Sequence, residues 1–297
     1  MEESDRKEIK IDDVGHLFLS GQERPNSYPE GEAGREKKDS SGPGTCLVAI
    51  SAARSDISRP IFTVNLAVEL ARIGRKPAIV PQISIAPNAL TLLGLNGLEA
   101  STKGDGIEVL EGPFGIVLML LKDKPTVPFR HLKSKTLSYL EEASRNSQFL
   151  LLELPDNITE NDAPLLRISD EVILLVPPSP DTMTGAFRQL ISIVEIDRDL
   201  PVWIVASDVD AVGDGEKIFR EMEDLAAEFL GKKLEYLGHV YKDSSYFLTC
   251  IDEPSAMLRG RFSRVRRCMY DIVELLCIMD DITLKTSGPR PIISKRL

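Results

Sequence analysis

From residue 46 to about residue 280, short apolar runs alternate with helix-periodic segments, and this alternation restricts the chain to one class of fold. Residues 46–50 (CLVAI), 78–80, 116–121, 149–152, 172–176 and 202–206 are apolar throughout. Strands buried on both faces read this way. Residues 61–73 (IFTVNLAVELARI) repeat their apolar side chains at helical spacing and stop before Gly74, where a C-cap belongs. Residues 129–145, 184–196 and 216–230 read as further helices. A last helix is expected over 262–279, with Phe262, Val265, Met269, Ile272, Leu276 and Met279 on one stripe. Strand–helix alternation of this kind predicts an α/β fold, a mostly parallel sheet with helices on both faces joined by right-handed crossovers.

Residues 1–45 differ in texture. The stretch 22–44 is rich in Pro, Gly, Ser and charge, and is expected to be disordered because it buries too little to repay its ordering entropy. One apolar island, 11–19 (IDDVGHLFL), places Ile11, Val14, Leu17 and Phe18 on a short helical face. It reads either as a turn folding back on the domain or as a docking peptide for a partner groove. His16 belongs to no metal or catalytic pattern. Seven basic against eleven acidic side chains leave this extension at −4, out of a total of −10. The expected organisation is therefore an acidic extension at 1–45, an α/β domain at 46–282 and a basic flexible tail at 283–297.

Composition excludes several classes. No apolar run reaches the roughly 18 residues of a membrane span, and the charged amino terminus MEESDRKEIK does not suit a signal peptide. The four cysteines, Cys46, Cys250, Cys268 and Cys277, form no C-x-x-C pair and have no His at ligand spacing. They are expected to be thiols in a reducing, cytoplasmic setting. The acidic balance argues against nucleic acid as a specific partner, because phosphate contacts need a positive surface.

In doubly wound sheets ligands gather at the carboxyl ends of the strands, so the loop after the first strand is informative. Here it reads Ser51-Ala52-Ala53-Arg54-Ser55-Asp56-Ile57-Ser58-Arg59-Pro60, followed by Thr63-Val64-Asn65-Leu66-Ala67-Val68-Glu69-Leu70-Ala71. This segment resembles the MinD/ParA/FlhG family of P-loop ATPases, in which an apolar strand leads into SGKGGVGK[ST] and a helix with VNLA-x-x-LA. Counting back from Asn65 without a gap places Arg54 at the family's signature lysine, Arg59 at its P-loop lysine and Pro60 at its Ser/Thr. Ala53, Ser55, Asp56 and Ser58 then stand where the family has glycines. A phosphate cradle needs glycines so that successive N–H groups converge without Cβ interference. The family's hydroxyl ligates Mg²⁺, and Pro60 has none. Pro60 still suits a first helical turn. The resemblance thus implies the P-loop NTPase fold, with loss of ordinary Mg-nucleotide binding expected. Arg54, Ser58 and Arg59 remain the candidate anion contacts.

The resemblance continues along the chain. Val80-Pro81-Gln82-Ile83 stands where the family's strand ends in D-x-D, and Asn88 with Leu92-Leu93-Gly94-Leu95 matches the segment that follows. The strand FLLLELPDNI (149–158) resembles the Walker-B-like strand, with Glu153 at the acidic position, Leu154 at the usual Thr, and Pro155 retained. Glu153 is the candidate catalytic group. The plainer reading of Glu153 is an acid capping the end of a buried strand. Residues 168–176, 178–186 and 237–243 resemble the family's AADEVILV, PEPTSLTDA and LGYVPRD segments. The bacterial tyrosine-kinase and exopolysaccharide group shares the strand order, but no tyrosine cluster closes this chain.

Arg259, Arg261, Arg264, Arg266 and Arg267 gather near the start of the last helix, and Lys285, Arg290, Lys295 and Arg296 follow it. They read as a solvated surface, or as peripheral contact with an anionic membrane at the inner face. The expected function is a non-catalytic MinD/ParA-like pseudo-ATPase. It would act through protein partners, a homodimer or an intact paralogue, in spatial regulation or assembly of a division, flagellar or cell-surface apparatus, and no cofactor is expected. The alternatives are a nucleotide-switched ATPase using ATP and Mg²⁺, an exopolysaccharide-associated kinase-like regulator, and a linear-motif adaptor working through 11–19.

Overall fold

The computed structural model describes residues 44–53, 58–82, 88–97, 102–103, 107–121, 140–141, 144–243 and 264–291. All lie in one compact unit, Gly42–Leu297. In chain order the elements are β1 (Cys46–Ala52), α1 (Ser58–Arg72), β2 (Pro77–Val80), α2 (Ala89–Leu92), β3 (Thr102–Lys103), β4 (Ile107–Glu111), β5 (Val117–Leu121) and β6 (Phe149–Glu153). There follow α3 (Ala163–Ile168), β7 (Glu171–Val176), α4 (Pro180–Ile196), β8 (Val202–Val209), α5 (Val212–Leu230), β9 (Glu235–Tyr241) and α6 (Arg264–Ser287). The sheet order is β3-β4-β5-β2-β6-β1-β7-β8-β9. All pairings are parallel except β3–β4 and β4–β5. The expected α/β architecture is present, a mostly parallel sheet covered on both faces.

Strand periodicity explains how an all-apolar run serves two cores. Successive side chains of a strand point to opposite faces. Cys46, Val48 and Ile50 of β1 join one core with Phe149, Leu151, Ile173, Leu175, Trp203 and Val205. Leu47 and Ala49 join the other with Leu150, Leu152, Val172, Leu174, Ile204 and Ala206. Helices α1 and α6 cover the first face through residues such as Leu66, Leu70, Met269 and Ile272. Helices α3, α4 and α5 cover the second through Leu166, Leu190, Ile193 and Met222. The anticipated stripe of α6 is buried at Val265, Met269, Ile272 and Leu276; Phe262 lies outside the described residues.

Local signals set the helix ends. Ser179 caps α4 by accepting from the Thr182 amide, with Pro180 in the first turn. Helix α5 closes on Gly231 at φ +57°, whose amide bonds back into the last turn. Gly231→Ala forces a Cβ into that left-handed geometry, and the expected outcome is a loss of about 1 kcal/mol in urea unfolding.

The sheet and the carboxyl-terminal boundary depart from the sequence expectations. The sheet is wider, gaining β9 on one side and the antiparallel β3–β4 pair on the other. Most of the helix expected over 129–145 lies outside the described residues. The boundary at 282 is corrected as well, because α6 runs on to Ser287 and the segment after it returns to the sheet. Arg290, placed by sequence in a loose basic tail, ion-pairs with Asp280 and lies 3.2 Å from Asp170, with a side chain only 7% exposed. A Cβ on Gly44 would stand 2.7 Å from the Arg290 carbonyl oxygen, so only glycine fits this approach. Two arginines of the basic cluster are also tied in. Arg266 donates to buried Glu69 at 3.0 Å, joining α6 to α1, and Arg264 lies 3.8 Å over the Tyr241 ring. Arg259 and Arg261 lie outside the described residues. None of the described helices is long and apolar enough to cross a membrane.

Candidate functional site

The carboxyl ends of β1, β2 and β6 converge where α1 begins, and the candidate residues meet there. Strand β1 ends at Ala52, and α1 starts at Ser58 with Pro60 in its first turn. Of the sequence candidates, Ser58 opens this helix half-buried, whereas Arg54 and Asp56 lie outside the described residues. Arg59 is fully buried. It does not reach toward open solvent. Its Nη1 donates to Asp156 Oδ1 at 2.8 Å, and the Asp156 side chain is 32% exposed. The Arg59 Nε and Nη2 have no hydrogen-bond partner among the described residues.

Glu153 closes β6 beside Ile50 of β1 in parallel register. It is buried. One carboxylate oxygen accepts from the Gln82 amide at 2.8 Å, and Gln82 Nε2 donates to the Glu153 carbonyl. The other oxygen, Oε1, has no partner among the described residues, nor does the buried Ser51 hydroxyl of β1. Desolvation raises the Glu153 carboxyl above its usual range, and the Gln82 amide, the Arg59 charge and the Thr63 hydroxyl offset part of that rise. The Thr63 hydroxyl donates to the Arg59 carbonyl at 2.9 Å, one turn back along α1.

The segment after β6 is pinned from α4. Buried Gln189 donates through Nε2 to the Asp156 carbonyl and accepts from the Ile158 amide at 3.3 Å. Gly185 of the same helix stands where a Cβ would lie 3.0 Å from the Ala53 carbonyl, so α4 approaches the loop closely. The structure therefore joins Arg59, Glu153 and Ser58 in one neighbourhood and adds Asp156, Gln82, Thr63 and Gln189, which sequence reasoning missed. Asp156 had one sequence signal, an acid directly after Pro155 at the end of an apolar strand. Its partner lies 97 positions away, which no local pattern reveals. Among the described residues no group of three His, Cys, Asp or Glu side chains is arranged to hold a metal ion.

This sheet order, with α1 beginning beside the carboxyl ends of β1 and β6, is the P-loop NTPase fold of the solved MinD structures. No family model matches the chain. By sequence it is 24% identical over 212 residues to the antiactivator FleN of Pseudomonas aeruginosa, covering 67% of this chain and 74% of that relative. By structure it is similar to a chain of the MinC:MinD cell division protein complex of Aquifex aeolicus, with a TM-score of 0.61 at 15% identity over 78% of this chain and 96% of that one. It is similar too to the septum site-determining protein MinD of Pyrococcus horikoshii complexed with Mg-ADP, with a TM-score of 0.57 at 14% identity over 80% and 98%.

Proposed function

We propose that the chain is a non-catalytic MinD/ParA-like pseudo-ATPase that works through protein contacts in the spatial regulation or assembly of a cellular apparatus. The observation that carries this reading is the state of Arg59. At the position that the resemblance assigns to the P-loop lysine, the cation is buried and already holds a carboxylate. The residues around it do not fit Mg-nucleotide. Pro60 has no hydroxyl for a metal, Ala53 and Ser58 carry a Cβ where a cradle needs none, and the buried acid Glu153 has its pKa raised by desolvation. No hydrolytic step is assigned to them. What remains is a rigid α/β framework suited to presenting surfaces. Similarity to a protein called an antiactivator, and to a chain of a MinC:MinD complex, supports a role exercised on other proteins.

Under this reading any dimer is constitutive or forms with an intact paralogue. Sedimentation or light scattering with and without Mg-ATP tests it. An unchanged mass is expected, and ATP-dependent dimerisation overturns the proposal.

A second reading, a nucleotide-switched ATPase, is favoured by one observation. Arg59 Nε and Nη2, Glu153 Oε1 and Ser51 Oγ have no partners among the described residues, which leaves polar capacity at the site. Peripheral contact with an anionic membrane belongs to the proposal as well, but paired Arg290 and Arg266 contribute less charge to it than the sequence count suggests. The adaptor reading rests on residues 11–19, which lie outside the described residues.

A further inference from the structure

We propose that the Asp156 carboxylate is a built-in substitute for a phosphate: it neutralises Arg59 and keeps free anions out of the site. The proposal rests on the pseudo-ATPase reading and names the device that maintains it. Arg59 is fully buried, and an isolated cation in that position is strongly disfavoured. It therefore needs an anion. A guanidinium fork binds carboxylate and phosphate oxygens through the same N–H geometry, and here the oxygen 2.8 Å from Nη1 belongs to the chain itself.

Three details distinguish this pair from an incidental ion pair. The two partners differ in exposure, 0% for the Arg59 side chain and 32% for that of Asp156, so the negative charge enters from the solvent side, as a dissolved anion would. The segment carrying Asp156 is held independently of Arg59, because buried Gln189 fixes both the Asp156 carbonyl and the Ile158 amide. The carboxylate also engages only one of the three guanidinium nitrogens, leaving Nε and Nη2 without partners among the described residues. Removing the Asp156 charge uncovers a buried cation with unused donors, which an anion rich in oxygens is able to satisfy.

The test compares the wild-type chain, Asp156→Asn and the double variant Arg59→Met/Asp156→Asn, using inorganic pyrophosphate as the ligand and the melting temperature as the readout. Asn keeps the size of the side chain and an acceptor for Nη1 but no charge. The expected result is at least about tenfold tighter pyrophosphate binding to Asp156→Asn than to wild type, with no such gain in the double variant. An equal response in Asp156→Asn and wild type overturns the proposal. So does a double variant that responds like Asp156→Asn, since the anion then binds elsewhere. If Asp156→Asn does not fold alone, its refolding yield is measured with pyrophosphate present; recovery supports the proposal and failure to recover overturns it. A fluorescent ATP analogue titrated into wild type keeps the two readings separate. Mg-dependent binding there contradicts the pseudo-ATPase reading, whereas the pyrophosphate gain of Asp156→Asn over wild type still decides whether Asp156 blocks the site.

Discussion

Asp156→Ala is expected to lower the unfolding free energy by about 3–5 kcal/mol, the range for stranding one partner of a buried ion pair. The loss should exceed that of Arg59→Met by a wide margin. The asymmetry follows from burial. Without Asp156, the fully buried Arg59 has no counter-charge at hydrogen-bond distance among the described residues, whereas without Arg59 the one-third-exposed Asp156 carboxylate hydrates. Arg59→Met/Asp156→Ala should recover most of the loss, because two neutral side chains replace the pair. Urea unfolding of the four chains checks this through the transition midpoint at constant m-value. An Asp156→Ala loss of only about 0.5 kcal/mol would show that the pair behaves like a surface salt bridge.

Glu171→Gln should stabilise the fold at pH 8 by up to about 3 kcal/mol and leave it unchanged near pH 4. Burial pushes the Glu171 carboxyl from 4.5 up to about 7, only partly offset by the Trp203 indole N–H donating to it at 2.8 Å. Asp170 and Asp280 raise it further and Arg290 lowers it, while the Cys46 thiol lies 3.8 Å from its other oxygen. Between pH 4.5 and 7 the folded chain keeps this proton and the unfolded chain has released it. The folded state binds more protons there, so this group's contribution to stability falls as pH rises through that window. Above pH 7 the whole shift, about 3 kcal/mol, counts against the wild-type fold. Glutamine removes the ionisation and keeps an acceptor for the indole. The single tryptophan gives a direct readout, since Trp203 fluorescence should titrate near pH 7 in wild type and not in the variant. Equal pH dependence of the two unfolding free energies would contradict the assignment.

Both cores of this fold were legible as strands but not as cores. A run such as Cys46–Ile50 announces a strand buried on two faces, yet only the sheet shows that Val48 and Leu47 serve opposite layers. Strands β4 and β9 were missed because Ile107–Glu111 and Glu235–Tyr241 mix polar with apolar residues, as strands at or next to a sheet edge tolerate. The end of α6 was misread for a related reason. Its apolar stripe stops at Met279, but the helix continues through Asp280 to Ser287, and Arg290 then finds Asp280 and Asp170. Long-range charge pairing leaves no periodic trace. The site divides in the same way. Arg59 and Glu153 stood out through their place in the resemblance, whereas Asp156, Gln82 and Gln189 gained meaning only once the chain brought them to the same strand ends.

The central claim is that this framework works without binding Mg-nucleotide, and titration with a fluorescent ATP analogue, with and without Mg²⁺, tests it most directly. The expected result is no saturable, Mg-dependent signal in the wild-type chain. Micromolar Mg-dependent binding that disappears in Arg59→Ala would contradict the account and establish a nucleotide switch in its place.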